Sequence, residues 1–382
     1  MQLLSMPALL DTYAAFPFVL DHGSADRVYT EDGTVYFDWY GGHCVTSTGH
    51  AHPRVVAALT EQAQKLIFYS AAARLRIREQ GAQALIDYLA GTGLASVFFC
   101  NSGAEANENA LKLAIKQTGR SGLVSFDGGW HGRTLLALSV TDDAKITSPY
   151  AAILPANQRL PFADFQALEQ FDFSNSAAVI VEPIQSMAGI CCAPRAWFTR
   201  LREVTAAAGC WLIFDEIQTG MSRMGVASAA QFYGVQPDAI TLAKGLASGL
   251  PIGATVLSAQ RAAAVQAGDL GSTFGGGPLA MAAMLATLAV IADEQLGARA
   301  QQVAQRLRQS LPGPLVEAVI GEGLLLGVRT RGPAAALKRH LFERRLLVGA
   351  SSDPAVLRLM PCLNISDAAV TALETAINEF QG

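Results

Sequence analysis

Five short apolar runs, at 97–100, 123–126, 177–181, 211–214 and 240–242, alternate with helical stretches such as 104–117 and 196–208. Runs this short and this apolar read as strands buried on both faces, and their alternation with helices argues a mostly parallel sheet covered on either side. That is an α/β fold, and it says where chemistry belongs. In open sheets of this kind ligands bind beyond the carboxyl ends of the strands. After residue 293 the character changes to an Arg/Gln/Ala-rich helix at 299–311, a glycine-bracketed strand at 321–328, another helix and a final strand–helix pair. This reads as a smaller α+β unit. A hairpin predicted at 29–38, turning at Asp32-Gly33, is assigned to it as well, and a helix at 53–66 follows. The resulting division is 1–52 for the N-terminal segment of the small domain and 53–262 for the large domain. A connecting buried helix occupies 263–292, and the C-terminal small domain 293–382.

One strand ends abruptly in a carboxylate, Trp211-Leu212-Ile213-Phe214-Asp215, and 29 positions later stands Lys244, in Thr241-Leu242-Ala243-Lys244-Gly245. A lysine amine able to form a Schiff base and an aspartate able to hold a protonated ring nitrogen are the two groups that pyridoxal phosphate chemistry requires. The large domain is therefore expected to bind that cofactor.

Bulk properties agree with a globular enzyme. Of 382 residues 51% are hydrophobic and 16% charged, enough for a large core. A net charge of −4 argues against a nucleic-acid binder. Six cysteines (Cys44, Cys100, Cys191, Cys192, Cys210, Cys362) show no CxxC spacing and are expected to be mostly buried thiols rather than disulfides or metal ligands. The first twenty residues carry Asp11 and no lysine or arginine, so no secretory signal is expected. The uncharged stretch at 271–292 begins with glycines, leaving only 278–292 as helix, short of the ~20 residues that span a bilayer. A cytoplasmic protein without membrane or metal partners is expected.

Further motifs stand at strand ends. Asn101-Ser102-Gly103-Ala104-Glu105-Ala106-Asn107-Glu108 opens a helix. It reads either as a phosphate cradle or as an ordinary N-cap with Glu105 completing a capping box, and the company of Asp215 and Lys244 favours the cradle. Phe126-Asp127-Gly128-Gly129-Trp130-His131-Gly132-Arg133-Thr134 suits a loop that lays an aromatic plate on a flat ring and offers Arg133 as a bidentate carboxylate clamp. The plainer alternative makes Trp130 core and Arg133 a surface ion pair. Val181-Glu182-Pro183-Ile184-Gln185 adds another carboxylate. Arg358, the lone charge in Leu357-Arg358-Leu359-Met360-Pro361, is a second clamp or a snorkelling strand residue. His50 and His52 lack further ligands at usable spacing, so turn and helix-cap roles are expected of them. Two rivals fail. An ATPase needs GxxxxGK[ST], a dehydrogenase needs GxGxxG between strand and helix, and neither pattern occurs.

Together with Gly271-Ser272-Thr273-Phe274-Gly275-Gly276 and the run from Phe214 through Asp215-Glu216-Ile217-Gln218-Thr219-Gly220, these motifs resemble class III aminotransferases in order and spacing, nearest the acetylornithine/ornithine branch. The likeness runs from about Thr30 to the C-terminus. It implies a pyridoxal phosphate fold of type I, the large domain built on a mostly parallel sheet and the small α+β domain drawn from both ends of the chain. It implies Lys244 as the Schiff-base lysine and proton carrier, Asp215 at the ring nitrogen, and Gln218 at the ring hydroxyl. Trp130, where phenylalanine is commoner, would stack on the ring, with Glu182 also beside the cofactor. Ser102, Gly103 and Ala104 would hold the phosphate, completed by Thr273 of the partner subunit in a homodimer. Arg133, with Ser272 of the partner subunit beside it, and Arg358 would bind substrate carboxylates. The implied reaction transfers the terminal amine of N-acetylornithine, or a related N-acyl diamino acid, to 2-oxoglutarate. Other ω-amino donors, an aminomutase and a non-catalytic member of the fold are the alternatives, and residues 43–47 are expected at the pocket mouth where the acyl group is selected.

Two departures stand out. Ser186-Met187 replaces the Gly-Glu that usually follows Glu-Pro-Ile-Gln, and in the ornithine branch that glutamate masks the arginine matched by Arg358. Arg358 is thus expected to lack a built-in carboxylate partner, weakening discrimination between ω-amino and α-amino donors. Gly277 stands where asparagine normally precedes Pro278.

Overall fold

In the computed structural model, which describes residues 15–380 together with Ala8, Leu10, Thr12 and Tyr13, seven strands form one sheet. Their spatial order is Leu94–Cys100, Gly253–Ser258, Ala239–Leu242, Trp211–Asp215, Ser176–Val181, Gly122–Phe126, Asn157–Leu160. Gly253–Ser258 runs antiparallel to both neighbours, and every other pairing is parallel. The α/β sheet expected from the alternation is present. Ser176–Val181 and Trp211–Asp215 are buried throughout, as helices on both faces of a sheet require. Asp11, which entered the reading of the first twenty residues, lies outside the described residues.

The helices Gly103–Thr118 and Arg195–Ala207 occur where the periodicity puts them. Pro278–Asp293 is the buried helix expected, starting on proline, and it packs on Pro53–Lys65 and Arg76–Tyr88. Gly81 explains the closeness of that packing, since a Cβ there would lie 2.9 Å from Met281 Sδ. Gly277 is the N-cap of Pro278–Asp293 and offers no side-chain hydrogen bond, so this helix start goes without the cap an asparagine would supply. No single described helix is long and apolar enough to cross a membrane. Cys44, Cys100, Cys210 and Cys362 are buried free thiols, Cys191 is half-buried and Cys192 is exposed.

Among the described residues two four-stranded sheets and a two-stranded ribbon, Ile184–Gln185 with Cys191–Cys192, complete the β-structure. Leu20–Ser24, Arg27–Thr30 and Val35–Asp38 form a meander whose edge is joined in parallel by Leu346–Leu347, from the far end of the chain. Asp32 fixes the predicted turn by accepting from Thr34 N at 3.1 Å. The second sheet runs Val316–Glu322, Leu325–Thr330, Val356–Leu359, Gly349–Ala350. The single strand predicted at 321–328 is corrected here: the chain reverses at Gly323 (φ 53°) and makes an antiparallel hairpin. Gly323 lies in the turn and Gly321 just before it in the strand, and the positive φ of each disfavours a β-branched residue. His52 accepts from Arg54 N as the cap of Pro53–Lys65, and His50 bonds Asp38 at 2.8 Å.

Candidate active site

The ends of five strands of the large sheet open onto one cavity of about 1310 Å³. Its lining includes Ser102, Gly103, Ala104, Trp130, Arg133, Glu182, Asp215, Gln218, Lys244 and Arg358. Ser272 and Thr273 are not part of this wall. Ser272 Oγ instead accepts from Asn101 Nδ2 and Gly275 N, each at 3.1 Å, and Thr273 is exposed.

Asp215 closes its strand almost wholly buried, and three protein donors converge on it. Asn107 Nδ2 (2.7 Å) and His131 Nδ1 (2.8 Å) donate to Oδ2, and Ile217 N (3.1 Å) donates to Oδ1. Asn107 is in turn locked: it donates to the His131 carbonyl at 2.7 Å and accepts from Thr241 Oγ1 at 2.6 Å. A carboxylate accepts about four bonds, so one acceptor position of Asp215 is left for a donor in the cavity. Asn107, His131 and Thr241 had no assigned role in the sequence reading. A buried asparagine among Ala106, Ala110 and Leu111 on the inward face of its helix was the available signal.

Lys244 follows the next strand with φ 32°, a left-handed conformation for a residue with a side chain, which marks local strain. Burial pushes its amine below the ordinary lysine value, and the Arg358 charge adds to this, while Cys44, Asp215 and Glu182 oppose it. A desolvated amine spends more time unprotonated and is the better nucleophile. Glu182 accepts from Trp130 N at 2.7 Å, and its carboxyl is held above the usual range chiefly by burial. Trp130 is half-buried, with the Arg133 guanidinium 5.6 Å from its ring centroid. Arg133 itself is exposed and has no carboxylate partner among the described residues, so the surface-ion-pair alternative does not hold.

Ser102 caps Gly103–Thr118 by accepting from Glu105 N at 3.2 Å. Among the described residues nothing accepts from the N–H groups of Gly103 or Ala104, which belong to the first turn. Cap and anion-binding turn therefore coexist. A Cβ on Gly103 would come 2.5 Å from Ile217 Cδ1, so a larger residue here would have to displace the Ile217 side chain. Gln218 is buried, and its Oε1 has no partner. Arg358 lies in a strand and, among the described residues, forms no ion pair with a carboxylate. Its Nε donates to the Ala350 carbonyl (2.5 Å), and Nη1 donates to Ser186 Oγ (3.0 Å). Met187 lines the cavity.

The aminotransferase class-III family model matches residues 11–380. The chain is a class III aminotransferase. Over 381 residues it is 37% identical to the acetylornithine aminotransferase of Methanothermobacter thermautotrophicus, covering 97% of each chain. It is 40% identical over 377 residues to that of Streptomyces coelicolor, covering 97% of this chain and 92% of the relative. The ornithine aminotransferase of Toxoplasma gondii, whose solved structure holds pyridoxal phosphate at partial occupancy, superposes with a TM-score of 0.88 at 30% identity, over 97% of this chain and 91% of the other.

The cofactor of this aminotransferase is pyridoxal phosphate, and the cavity fits it on its own evidence. Unclaimed N–H groups at a helix start suit a phosphate, the orphaned Gln218 amide oxygen suits a ring hydroxyl, and the open position on Asp215 suits a protonated ring nitrogen.

Proposed function

We propose that the enzyme exchanges the terminal amino group of N-acetylornithine for the carbonyl oxygen of 2-oxoglutarate, releasing the semialdehyde and glutamate. The observation that carries this reading is Arg133, a cation open to the cavity with no carboxylate to neutralise it, which calls for a substrate carboxylate at that wall. That the Methanothermobacter thermautotrophicus and Streptomyces coelicolor relatives are acetylornithine aminotransferases supports the choice of donor.

Lys244 would carry the cofactor covalently, Asp215 would keep the proton on its ring nitrogen, and Gln218 would meet its hydroxyl. Trp130 and Glu182 would flank it, and Ser102, Gly103 and Ala104 would hold its phosphate. When bound, the cofactor supplies an electron sink for the pair left when a C–H bond beside the amine breaks. Lys244 Nζ would take that proton from the donor carbon and return it to the carbon on the other side of the nitrogen, a 1,3-shift. Arg133 anchors the donor by its carboxylate, and the apolar wall keeps water from the reacting carbon.

Ser272 and Thr273 stand outside their own cavity, and the exposed Phe274 packs against Phe68, with ring centroids 5.0 Å apart and planes at 47°. Both facts support a homodimer in which Thr273 of the partner subunit completes the phosphate site and Ser272 of the partner subunit lies near Arg133. We place the enzyme in the cytoplasm. Residues 1–52 and 293–382 form its small domain, 53–262 the large domain and 263–292 the connection, a division supported by the pairing of Val35–Asp38 with Leu346–Leu347.

The decisive experiment adds candidate amines to holoenzyme and follows loss of its visible absorbance. N-acetylornithine is expected to react fastest, and faster reaction of 4-aminobutyrate overturns the assignment. A second expectation rests on Arg358, which has a hydroxyl and a carbonyl but no carboxylate as partners. Open to an incoming anion, it favours reaction with the α-amine of glutamate. A glutamate half-reaction far slower than the acetylornithine one defeats that idea.

A further inference from the structure

Four consecutive residues at the cavity mouth, Gly41, Gly42, His43 and Cys44, have φ values of 60°, 56°, 72° and 64°. Glycines take this conformation freely, but histidine and cysteine do so only when their surroundings compel it. Asp38 is what compels it. Its carboxylate accepts from the N–H of Tyr40 (3.0 Å), Gly41 (2.8 Å) and Gly42 (3.2 Å), and is itself held by His50 Nε2 at 2.8 Å. The strained turn places His43 on the cavity wall with Lys244 and Arg358.

His43 Nδ1 lies 2.5 Å from the Tyr40 hydroxyl, and no described group bonds its Nε2. Tyr40 is wedged edge-on against Phe16 (centroids 6.4 Å apart, planes at 82°) and packs on Gly349, where a Cβ would come 3.3 Å from the tyrosine ring. Burial raises the phenol's pKa, so Tyr40 keeps its proton, and its only available acceptor is Nδ1. Burial first, then the charges of Lys244 and Arg358, lower the imidazole to about 4, so the ring is neutral near pH 7. A neutral ring accepting at Nδ1 carries its hydrogen on Nε2. The turn thus presents one N–H donor, fixed in direction by the Tyr40 contact, on a side chain that lines the cavity.

We propose that His43 is a specificity-determining residue that donates from Nε2 to the amide carbonyl of an N-acylated amino donor. This rests on the reading of the enzyme as acting on such donors. The same N–H, in a wall already carrying Lys244 and Arg358, opposes the second ammonium that an unacylated diamino acid would bring to this place. Selection for the acylated donor therefore comes from one attraction and one repulsion at a single ring.

The test is the ratio of kcat/KM for N-acetylornithine to that for ornithine, measured on wild-type holoenzyme, His43→Phe, His43→Gln and Tyr40→Phe. His43→Phe is expected to lower the ratio by about tenfold, the size of one neutral hydrogen bond. His43→Gln, which restores an N–H, recovers much of it, and Tyr40→Phe lowers it because the ring's tautomer is no longer fixed. A ratio for His43→Phe within about twofold of wild type, or a His43→Gln ratio no higher than that of His43→Phe, overturns the proposal. Should His43→Phe fail to fold, Tyr40→Phe decides: the ratio drops or the proposal falls. A wild type that does not turn over N-acetylornithine defeats the functional reading itself, whereas a selective wild type beside an equally selective His43→Phe defeats only the role of His43.

Discussion

Asp215 shows why single residues matter so unequally in this site. Its side chain is held by Asn107, His131 and Ile217 before any cofactor arrives, so its orientation costs nothing at the moment of binding. Lys244→Ala is expected to lower kcat by at least about 10²–10⁴-fold through lost proton transfer alone. It is also expected to release the cofactor on denaturation, which mass spectrometry of borohydride-treated protein would check. His131→Phe removes a hydrogen bond to a charged group, a loss of about 1.5–3 kcal/mol, and should reduce cofactor affinity by roughly 10- to 100-fold in an absorbance titration. Affinity equal to wild type would mean that His131 is only packing. Lys244 and Asp215 were legible in the sequence because each stands right after an apolar strand. The clamp around Asp215 was not, because Asn107 from a helix, His131 from a loop and Thr241 from a strand lie far apart in the sequence and meet only once the sheet has formed.

At the scale of elements, Glu216 ties the end of Trp211–Asp215 to the start of the helix Ala229–Tyr233, accepting from Ala229 N (2.6 Å) and Ala230 N (3.1 Å). Burial pushes this carboxyl up to about 8 despite those bonds. A folded-state value above the unfolded one means stability that is complete below about 4.5 and lost as the pH climbs through about 8. Comparing urea unfolding of wild type and Glu216→Gln should therefore show the wild type losing ground between those values, by up to about 1.4 kcal/mol per pH unit. A pH-independent difference would refute the shifted carboxyl. The strands found from sequence were those with unbroken apolar runs. Asn157–Leu160 escaped because, as an edge strand, it exposes Gln158 and Arg159, and Gly253–Ser258 because it opens on small residues. The hairpin Val316–Thr330 was shortened to one strand because glycines at 321 and 323 read equally well as strand boundaries.

For the whole molecule, the exposed Phe68, Phe274 and Ile67 lie in or near the segment that carries Ser272 and Thr273 away from their own cavity. Phe274→Asp is expected to shift the protein to monomers in sedimentation velocity and to weaken cofactor retention with it, because each site would lose a contribution from its neighbour. Monomers that retain cofactor as wild type does would show that the site is complete in one chain. Nothing in composition or periodicity announced such an assembly; it came from family likeness alone.

The parallel pairing of Val35–Asp38 with Leu346–Leu347, reinforced by Arg345 Nη1 donating to Tyr36 Oη across 309 positions, has a consequence for biosynthesis. On the ribosome the strands of the seven-stranded sheet are all available once residue 258 has emerged, but the meander made first must wait, one edge bare, until residues 346–347 follow. Because Tyr40 and His43 hang directly from that meander, the entrance to the catalytic chamber takes its shape after the strands of the large sheet have been made.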